Sequence, residues 1–205
     1  MKLYTGMGPN PRVVHICLAE KGLDVERVIV DLVAGENRQE AHLARNPAGQ
    51  LPCLELDDGS TIAEITAICE YLDEKHPSPP LMGTTPEERA ETRMWMRRID
   101  LNILEPLANA FRFGAGIDLF KNRIHVIPQA ADDLAQIAQK NLAWLDGLLQ
   151  GREFVCGDRF TIADILLFAF LEFGGQTGQP LDPKLETLQS WFTRVAARPA
   201  IEASQ

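Results

Sequence analysis

Residues 46–71 constrain the fold of this chain more than any other stretch of its sequence. They read NPAGQLPCLELDDGSTIAEITAICEY. Asp57–Gly59 predicts a hairpin turn between two short strands, Cys53–Leu56 and Ser60–Ile62. Apolar residues then recur at helical spacing over Glu64–Leu72. The sequence therefore predicts a helix that begins directly after the second strand.

The start of that helix is a suitable place for a small anion. The first amides of a helix have no internal partners, and they lie at the positive end of the helix dipole. Pro52 opens the first strand, which is an allowed position for proline. A proline between a loop and a strand is also a candidate for a cis bond, which would present the N–H and C=O of Leu51 to a ligand. The stretch therefore predicts a pocket built from backbone groups.

The residues before this stretch predict a β-α-β start. A strand is expected over residues 1–5, and Asn10, which a proline follows, fits the N-cap of a helix that ends near Gly22. The segment Val25–Asp31 is rich in β-branched residues and predicts a second strand, parallel to the first. With a further helix at about residues 38–45, the first part of the chain reads βαβαββα.

A proline-rich segment separates two predicted domains. The sequence HPSPP at residues 76–80 stops a helix and stiffens the chain, because proline lacks an N–H and restricts the residue before it. Beyond it the pattern contains no strand. Helices are predicted over residues 86–113, 128–149, 161–171 and 183–197. We therefore predict a domain at residues 1–77, a linker at 78–85 and an all-helical domain at 86–205.

Composition limits the partners of the chain. Its 20 Lys and Arg residues against 29 Asp and Glu residues give a formal net charge of −9. That charge argues against a nucleic-acid partner and against an anionic membrane surface. No signal peptide and no membrane-spanning run are visible. The 4 cysteines lack a disulfide or CxxC pattern, which predicts a cytoplasmic protein. The histidines show no metal spacing, so no metal site is predicted, and His42 is expected to be packed.

Taken together, these features resemble the soluble glutathione S-transferase superfamily, and in particular its bacterial-type members. The resemblance covers essentially the whole chain, and the order of several motifs carries it. The motifs are LY at residues 3–4, LAEKG at 18–22, NPAGQLP at 46–52, LDDG at 56–59, Glu64, AI at 67–68, YL at 71–72 and FTIAD at 160–164. The implied fold is a thioredoxin-like α/β domain followed by an all-α helical bundle.

The resemblance implies that glutathione is the co-substrate and that the opening stretch binds it. The implied contacts are Gln50, Leu51, Pro52, Glu64, Ile65 and Thr66. The backbone of Leu51, before a cis proline, would pair with the cysteinyl part of glutathione. Glu64 would hold the γ-glutamyl ammonium, and the next two amides would bind its carboxylate. Ile65 stands where relatives usually have a serine or threonine, so Thr66 or the amides alone must serve that carboxylate.

The loop before the first helix is the place where many relatives carry the Tyr, Ser or Cys that activates the glutathione sulfur. Here Gly8 occupies the usual hydroxyl position, and the loop contains no cysteine. Some bacterial relatives rely on an asparagine near this point, so Asn10 is the candidate that stabilises the thiolate. Thr5 offers a hydroxyl in the same loop. The simpler interpretations are that Asn10 is only a helix cap and Thr5 only a strand-end residue.

A second substrate, a hydrophobic electrophilic small molecule, is expected between the first loop and the long helix of the second domain. The candidates by position are Met7, Asn102, Phe111 and Phe113, for which ordinary core packing is the alternative. We therefore predict a glutathione transferase that directs the thiolate at an electrophile, a peroxide or a disulfide. The alternatives are a non-catalytic glutathione-binding or interaction module, and a glutathione-dependent isomerase or dehalogenase. A homodimer is implied by the resemblance.

Overall fold

The protein, seen here in a computed structural model that describes residues 1–204, divides into two compact units. The first unit contains Met1–Leu81 and the C-terminal segment from Arg198, and the second contains Met82–Ala197. This division lies inside the predicted linker. The C-terminal segment, which the sequence assigned to the helical domain, groups with the first unit instead. Residue 205, the last of that predicted domain, lies outside the described residues.

A four-stranded mixed sheet forms the centre of the first unit. Its strands are β1 (Lys2–Thr5), β2 (Glu26–Ile29), β3 (Cys53–Glu55) and β4 (Thr61–Ala63), in the order β2-β1-β3-β4. Leu3 of β1 lies opposite Arg27 in the parallel pair and opposite Leu54 in the antiparallel pair. Strands β3 and β4 form the predicted hairpin. The predicted thioredoxin-like α/β domain is confirmed.

Helices cover this sheet. They are α1 (Pro9–Glu20), a 3₁₀ turn at Glu36–Arg38, α2 (Glu40–Leu43), α3 (Ile65–Lys75) and, from the C-terminal segment, α10 (Pro199–Ala203). Helices α1 and α3 pack against each other, and α10 packs on α1. The guanidinium of Arg198 donates to both carboxylate oxygens of Glu20 at 2.6 and 2.8 Å, and Arg12 donates to Ser204 Oγ at 2.6 Å. These bonds attach α10 to both ends of α1, which explains why the C-terminal segment belongs to the first unit.

The predicted cap of α1 was wrong. The helix begins at Pro9, its N-cap is Gly8, and no side chain caps it. Gly8 has a φ of 113°, a conformation that side-chain-bearing residues rarely adopt. Pro9 then takes the first helical position, for which its fixed φ is suited. Asn10 is therefore the second helical residue, and its side chain is not used as a cap.

The second unit is helical, as predicted, with two isolated β-bridges between residues 154 and 159. Its helices are α4 (Pro86–Ile99), α5 (Glu105–Phe113), α6 (Ile117–Phe120), α7 (Ala131–Leu148), α8 (Ile162–Gln176) and α9 (Glu186–Ala196). A five-residue π-helical segment, Asp100–Leu104, connects α4 to α5. The first ten residues of α8 are all buried, which places α8 in the centre of the unit, and its residues are apolar on almost every side.

Asp164 connects the start of α8 to Val155 and Trp191 through hydrogen bonds. Its Oδ2 accepts from the backbone N–H of Thr161 at 2.9 Å, which forms part of a capping box. Its Oδ1 accepts from the N–H of Val155 at 2.8 Å and from Trp191 Nε1 at 2.9 Å. Burial raises the pKa of this carboxyl from its usual 3.8 to about 6 although these bonds act in the opposite direction. Asp164 thus organises the interior of the second unit.

Candidate functional site

The N-terminus of α3 presents free amides beside a carboxylate. Glu64 alone connects β4 to α3, and among residues 1–204 it is the only non-glycine residue with a positive φ, at 68°. In the described part of the chain the N–H groups of Ile65, Thr66 and Ala67 donate to no protein acceptor, and the first engaged amide is Ile68 N, which donates to Glu64 O at 2.9 Å. Glu64 is exposed and makes no cap bond. This arrangement suits a ligand that carries an ammonium beside a carboxylate.

The backbone of Leu51 is the second part of the site. Its side chain is buried, and the bond to Pro52 is cis, as predicted. Neither its N–H nor its C=O has a hydrogen-bond partner within residues 1–204. Because Cys53 pairs with Ala63 in the hairpin, Leu51 and the start of α3 lie at the same end of β3 and β4. An extended peptide could pair with Leu51 as a further strand would.

The loop before Leu51 is fixed by side chains that sequence reasoning did not select. The carbonyl of Gln50 accepts from His42 Nε2 and from Asn46 Nδ2, both at 3.0 Å. The carbonyl of Gly49 accepts from Asn37 Nδ2 at 2.6 Å. The turn chemistry of Asn46 was readable from the sequence, but the other two contacts depend on how the 3₁₀ turn and α2 fold back onto the loop.

The first turn of α1 carries the proposed sulfur-binding group. Pro9 and Pro11 have no N–H, and Arg12 N donates to Gly8 O at 3.3 Å. Asn10 therefore supplies the one free backbone N–H of this turn. Its side chain is half-buried and has no hydrogen-bond partner in the described region. Two donors of one residue thus lie at the positive end of a 12-residue helix.

Thr5, the other sulfur-binding candidate, is fully buried. Its Oγ1 lies 2.8 Å from His15 Nε2. Burial, with smaller effects from Arg27 and Arg12, lowers the pKa of His15 to about 4, so this histidine is neutral at pH 7. The hydroxyl of Thr5 points into the unit because Leu3 and Thr5 share the inner face of β1. Of the two candidates, only Asn10 is accessible from the loop surface.

The four second-substrate candidates lie in different surroundings. Met7 belongs to the first unit and is 61% exposed. Asn102 lies in the π-helical segment, where its Nδ2 donates to the carbonyl of Arg98 at 2.8 Å. Phe111 packs edge-on against two other rings, those of Phe120 and Phe173, with centroids 6.1 and 5.0 Å away. Phe113 is half-buried at the end of α5.

Across residues 1–204, no three His, Cys, Asp or Glu side chains come together in a way that could hold a metal ion. In the same range, no helix has the length and apolar character needed to cross a bilayer.

Comparison with known proteins decides the family. The model of the glutathione S-transferase N-terminal domain matches residues 7–75, and the model of the C-terminal domain matches residues 108–199. The chain is 35% identical to glutathione S-transferase 2 of Saccharomyces cerevisiae over 205 residues, which cover 97% of this chain and 86% of that protein. The chain belongs to the glutathione S-transferase family. The resemblance stated from the sequence is thereby confirmed.

Two other proteins are similar over most of this chain. A maleylacetoacetate isomerase of Pseudomonas aeruginosa is 34% identical over 185 residues, with 89% of this chain and 85% of the isomerase covered. The crystal structure of a glutathione S-transferase domain-containing protein of Marinobacter aquaeolei matches with a TM-score of 0.91 and 40% identity, covering 98% of this chain and 100% of that one. The two-domain fold therefore agrees with that of an experimentally solved family member.

Proposed function

We propose that the protein is a glutathione transferase that binds glutathione in its first unit and directs the thiolate at a hydrophobic electrophile. The observation that carries this proposal is the free main-chain surface at one end of the β3–β4 hairpin. It combines the unpaired N–H and C=O of Leu51 with three unpaired amides of α3 and the exposed carboxylate of Glu64. These groups are complementary to a γ-glutamyl-cysteinyl peptide.

Each end of that ligand has its own contacts. The γ-glutamyl ammonium pairs with Glu64, while the carboxylate beside it accepts from the amides of Ile65 and Thr66 at the positive end of the α3 dipole. The hydroxyl of Thr66 is available to assist, since Ile65 has none. The cysteinyl backbone pairs with Leu51, next to Pro52, in the manner of a strand edge. Gln50, whose side chain is exposed, contacts the ligand from the loop.

Asn10 stabilises the sulfur. A free thiol has a pKa near 8.5 and is mostly protonated at neutral pH, and hydrogen bonds together with a helix N-terminus lower that value. The backbone N–H and side-chain amide of Asn10 supply both influences. The protein therefore positions the reactants and stabilises the thiolate without forming a covalent bond of its own. Thr5 contributes by holding His15 inside the unit, not by touching sulfur.

The second substrate is a hydrophobic small molecule, with Met7, Asn102, Phe111 and Phe113 retained as its proposed contacts. The cluster of Phe111, Phe120 and Phe173 supports an aromatic or otherwise apolar substrate. A glutathione-dependent isomerase is the second candidate, because the Pseudomonas relative bears that activity in its name. A non-catalytic module is not favoured, since the yeast and Pseudomonas relatives are both named as enzymes.

The proposed assembly is a homodimer in the cytoplasm. Helix α7 exposes Ile137, Trp144 and Leu148, which lie on one face because they are 7 and 11 residues apart. Met94 and Leu101, seven apart, are exposed in the same unit. Such apolar stripes favour contact with a second copy. All cysteines, at positions 17, 53, 69 and 156, are unpaired and buried, which a reducing compartment favours.

The proposal is tested by titrating glutathione across pH and following thiolate absorbance, with the native protein and with Glu64→Ala. We expect native protein to lower the pKa of the bound thiol by one to two units, roughly the effect of a helix N-terminus with direct donors. Glu64→Ala should weaken binding about tenfold, because the ammonium loses its charged partner. A native protein that binds no glutathione would refute the proposal. Binding with an unshifted thiol pKa would leave a glutathione-binding module only.

A further inference from the structure

The side chain of His42 makes a single hydrogen bond, and its partner is the loop that leads to Leu51. The residue is 3% exposed, and its Nε2 lies 3.0 Å from the carbonyl oxygen of Gln50. A carbonyl oxygen only accepts, so Nε2 carries the hydrogen. The other ring nitrogen, Nδ1, is buried without a partner. Asn46, 4% exposed, is the second donor to the same carbonyl. Two buried donors therefore converge on one backbone oxygen.

That oxygen controls the direction of a neighbouring N–H. The peptide bond between Gln50 and Leu51 is not among the cis bonds of the described chain, so it is trans. In a planar trans peptide the C=O of one residue and the N–H of the next point in opposite directions. Holding the carbonyl of Gln50 inward with His42 and Asn46 therefore turns the N–H of Leu51 outward. This is the N–H that has no partner within residues 1–204.

The same loop is held at the preceding residues, which leaves little freedom for the Gln50–Leu51 peptide. Asn37 donates to Gly49 O at 2.6 Å, and Arg38 donates to Ala48 O at 3.2 Å. Gly49 has a φ of 62°, and a Cβ there would lie 2.9 Å from the guanidinium of Arg38. The carbonyls of three consecutive residues, 48–50, are thus bonded to side chains of the 3₁₀ turn, of α2 and of Asn46, which lies three residues after α2.

We propose that His42 is a positioning residue for the cysteinyl part of glutathione. Its Nε2–H donates to the Gln50 carbonyl, and this bond orients the N–H of Leu51 towards the peptide that pairs there. This inference rests on the proposed function, since its role exists only if Leu51 binds glutathione. His42 touches neither the ligand nor the sulfur. It acts through the orientation of one peptide plane, with Asn46 as the second donor.

The test compares two substitutions of His42 that differ in one donor. His42→Phe keeps a ring of similar size and removes the N–H, whereas His42→Gln places an amide N–H close to the former Nε2 position. We expect His42→Phe to raise the dissociation constant for glutathione about tenfold, the effect of losing one hydrogen bond that orders a binding group. His42→Gln should restore most of the affinity.

A second readout separates positioning from mere loss of stability. A cysteinyl group that is poorly aligned holds its sulfur away from Asn10, so the pKa of the bound thiol in His42→Phe should move towards that of free glutathione. Val25→Ala is the control, because Val25 is a buried apolar residue of the same unit outside the loop. It should lower the free energy of unfolding while leaving both the affinity and the thiol pKa unchanged.

The outcomes distinguish this inference from the proposed function. If native protein binds glutathione and His42→Phe binds it equally well, the positioning role is wrong and the transferase proposal stands. An equal loss of affinity in Val25→Ala would also overturn it. If native protein binds no glutathione, both are wrong. Should His42→Phe fail to fold, Asn46→Asp provides the same test, because it removes the other donor to Gln50 while keeping the oxygen that accepts from Ala48 N at 3.2 Å.

Discussion

Glu64 combines a strained backbone with a proposed ligand contact. Its φ of 68° and ψ of 122° lie in a region that L-residues seldom occupy, at a cost of about 1–3 kcal/mol. The strain lets one residue change the chain direction from β4 to α3, which leaves the first amides of the helix open to a ligand. The residue is strained where the proposed binding occurs, a combination that is common at functional sites.

Two substitutions of Glu64 should separate strain from binding. Glu64→Gly relieves the backbone, whereas Glu64→Ala keeps it strained, so the glycine variant should have a free energy of unfolding higher by about 1 kcal/mol. Both variants should bind glutathione more weakly than native protein because both lack the carboxylate. Denaturant titration measures the first effect and calorimetry the second. Equal stability of the two variants would show that the residue is not strained.

Asp164 should make the stability of the second unit depend on pH. Its folded-state pKa of about 6 lies above the usual 3.8, so the folded protein holds this proton more tightly than the unfolded chain. The contribution of Asp164 to the free energy of unfolding is therefore present below about pH 4 and is lost as pH rises through 6, on the order of 3 kcal/mol.

The pH dependence of stability can be measured by comparing the native protein with the variant Asp164→Asn. The stability of native protein relative to Asp164→Asn should fall between pH 4 and 7, because asparagine does not titrate. A carboxyl NMR titration of native protein should give a midpoint near pH 6 for Asp164. Parallel stability curves for the two proteins, or a midpoint near 4, would contradict the assignment.

Pro106 explains the π-helical segment Asp100–Leu104. Pro106 has no N–H, so the carbonyl of Asn102 lacks the donor that an α-helix would provide four residues later. Asn141 of α7 replaces it, with Nδ2 donating to that carbonyl at 2.7 Å. The sequence predicted one uninterrupted helix here. The α-helical bonding is interrupted because Pro106 cannot donate to the carbonyl of Asn102, and Asn141 of another helix donates to it instead.

A double-mutant cycle tests this compensation. Asn141→Leu alone should lower the free energy of unfolding by about 1–2 kcal/mol, because it leaves the Asn102 carbonyl without a donor. In a Pro106→Ala background the restored N–H can serve that carbonyl, so the same substitution should cost less. Denaturant unfolding of the four proteins gives the coupling. An identical cost in both backgrounds would mean that the two groups do not share the carbonyl.

If the protein is a homodimer, the native protein should have the mass of two chains. A variant with a charge in the dimer contact should have the mass of one chain. Trp144 is 45% exposed on α7, and Trp144→Lys should produce a monomer because a lysine is costly to bury at an apolar contact. Val33→Lys, at an exposed apolar residue of the other unit, is the matched control and should leave the mass unchanged. Analytical ultracentrifugation measures both. A monomeric native protein would refute the dimer.

Much of the fold could be predicted because its signals are local. The hairpin over Asp57–Gly59, the end of α1 near Gly22 and the start of α8 after Thr161 depend on residues within a few positions of each other. The amide-rich start of α3 was predicted for the same reason. The cap of α1 was missed although it is local, since glycine and asparagine both occur at N-caps and the sequence does not show that residue 8 has a φ of 113°, which favours glycine.

The sequence by itself predicted the strands and the main helices along the chain, the proline-rich segment that divides it and the backbone groups proposed to bind glutathione. Only the tertiary structure decided that α10 returns to α1 through Arg198 and Glu20, 178 residues apart, and that His42 holds the Gln50 carbonyl. Periodicity and turn chemistry act between neighbours and can be read along the chain. A side chain that satisfies a distant backbone carbonyl depends on where the packed elements bring it, which no local pattern contains.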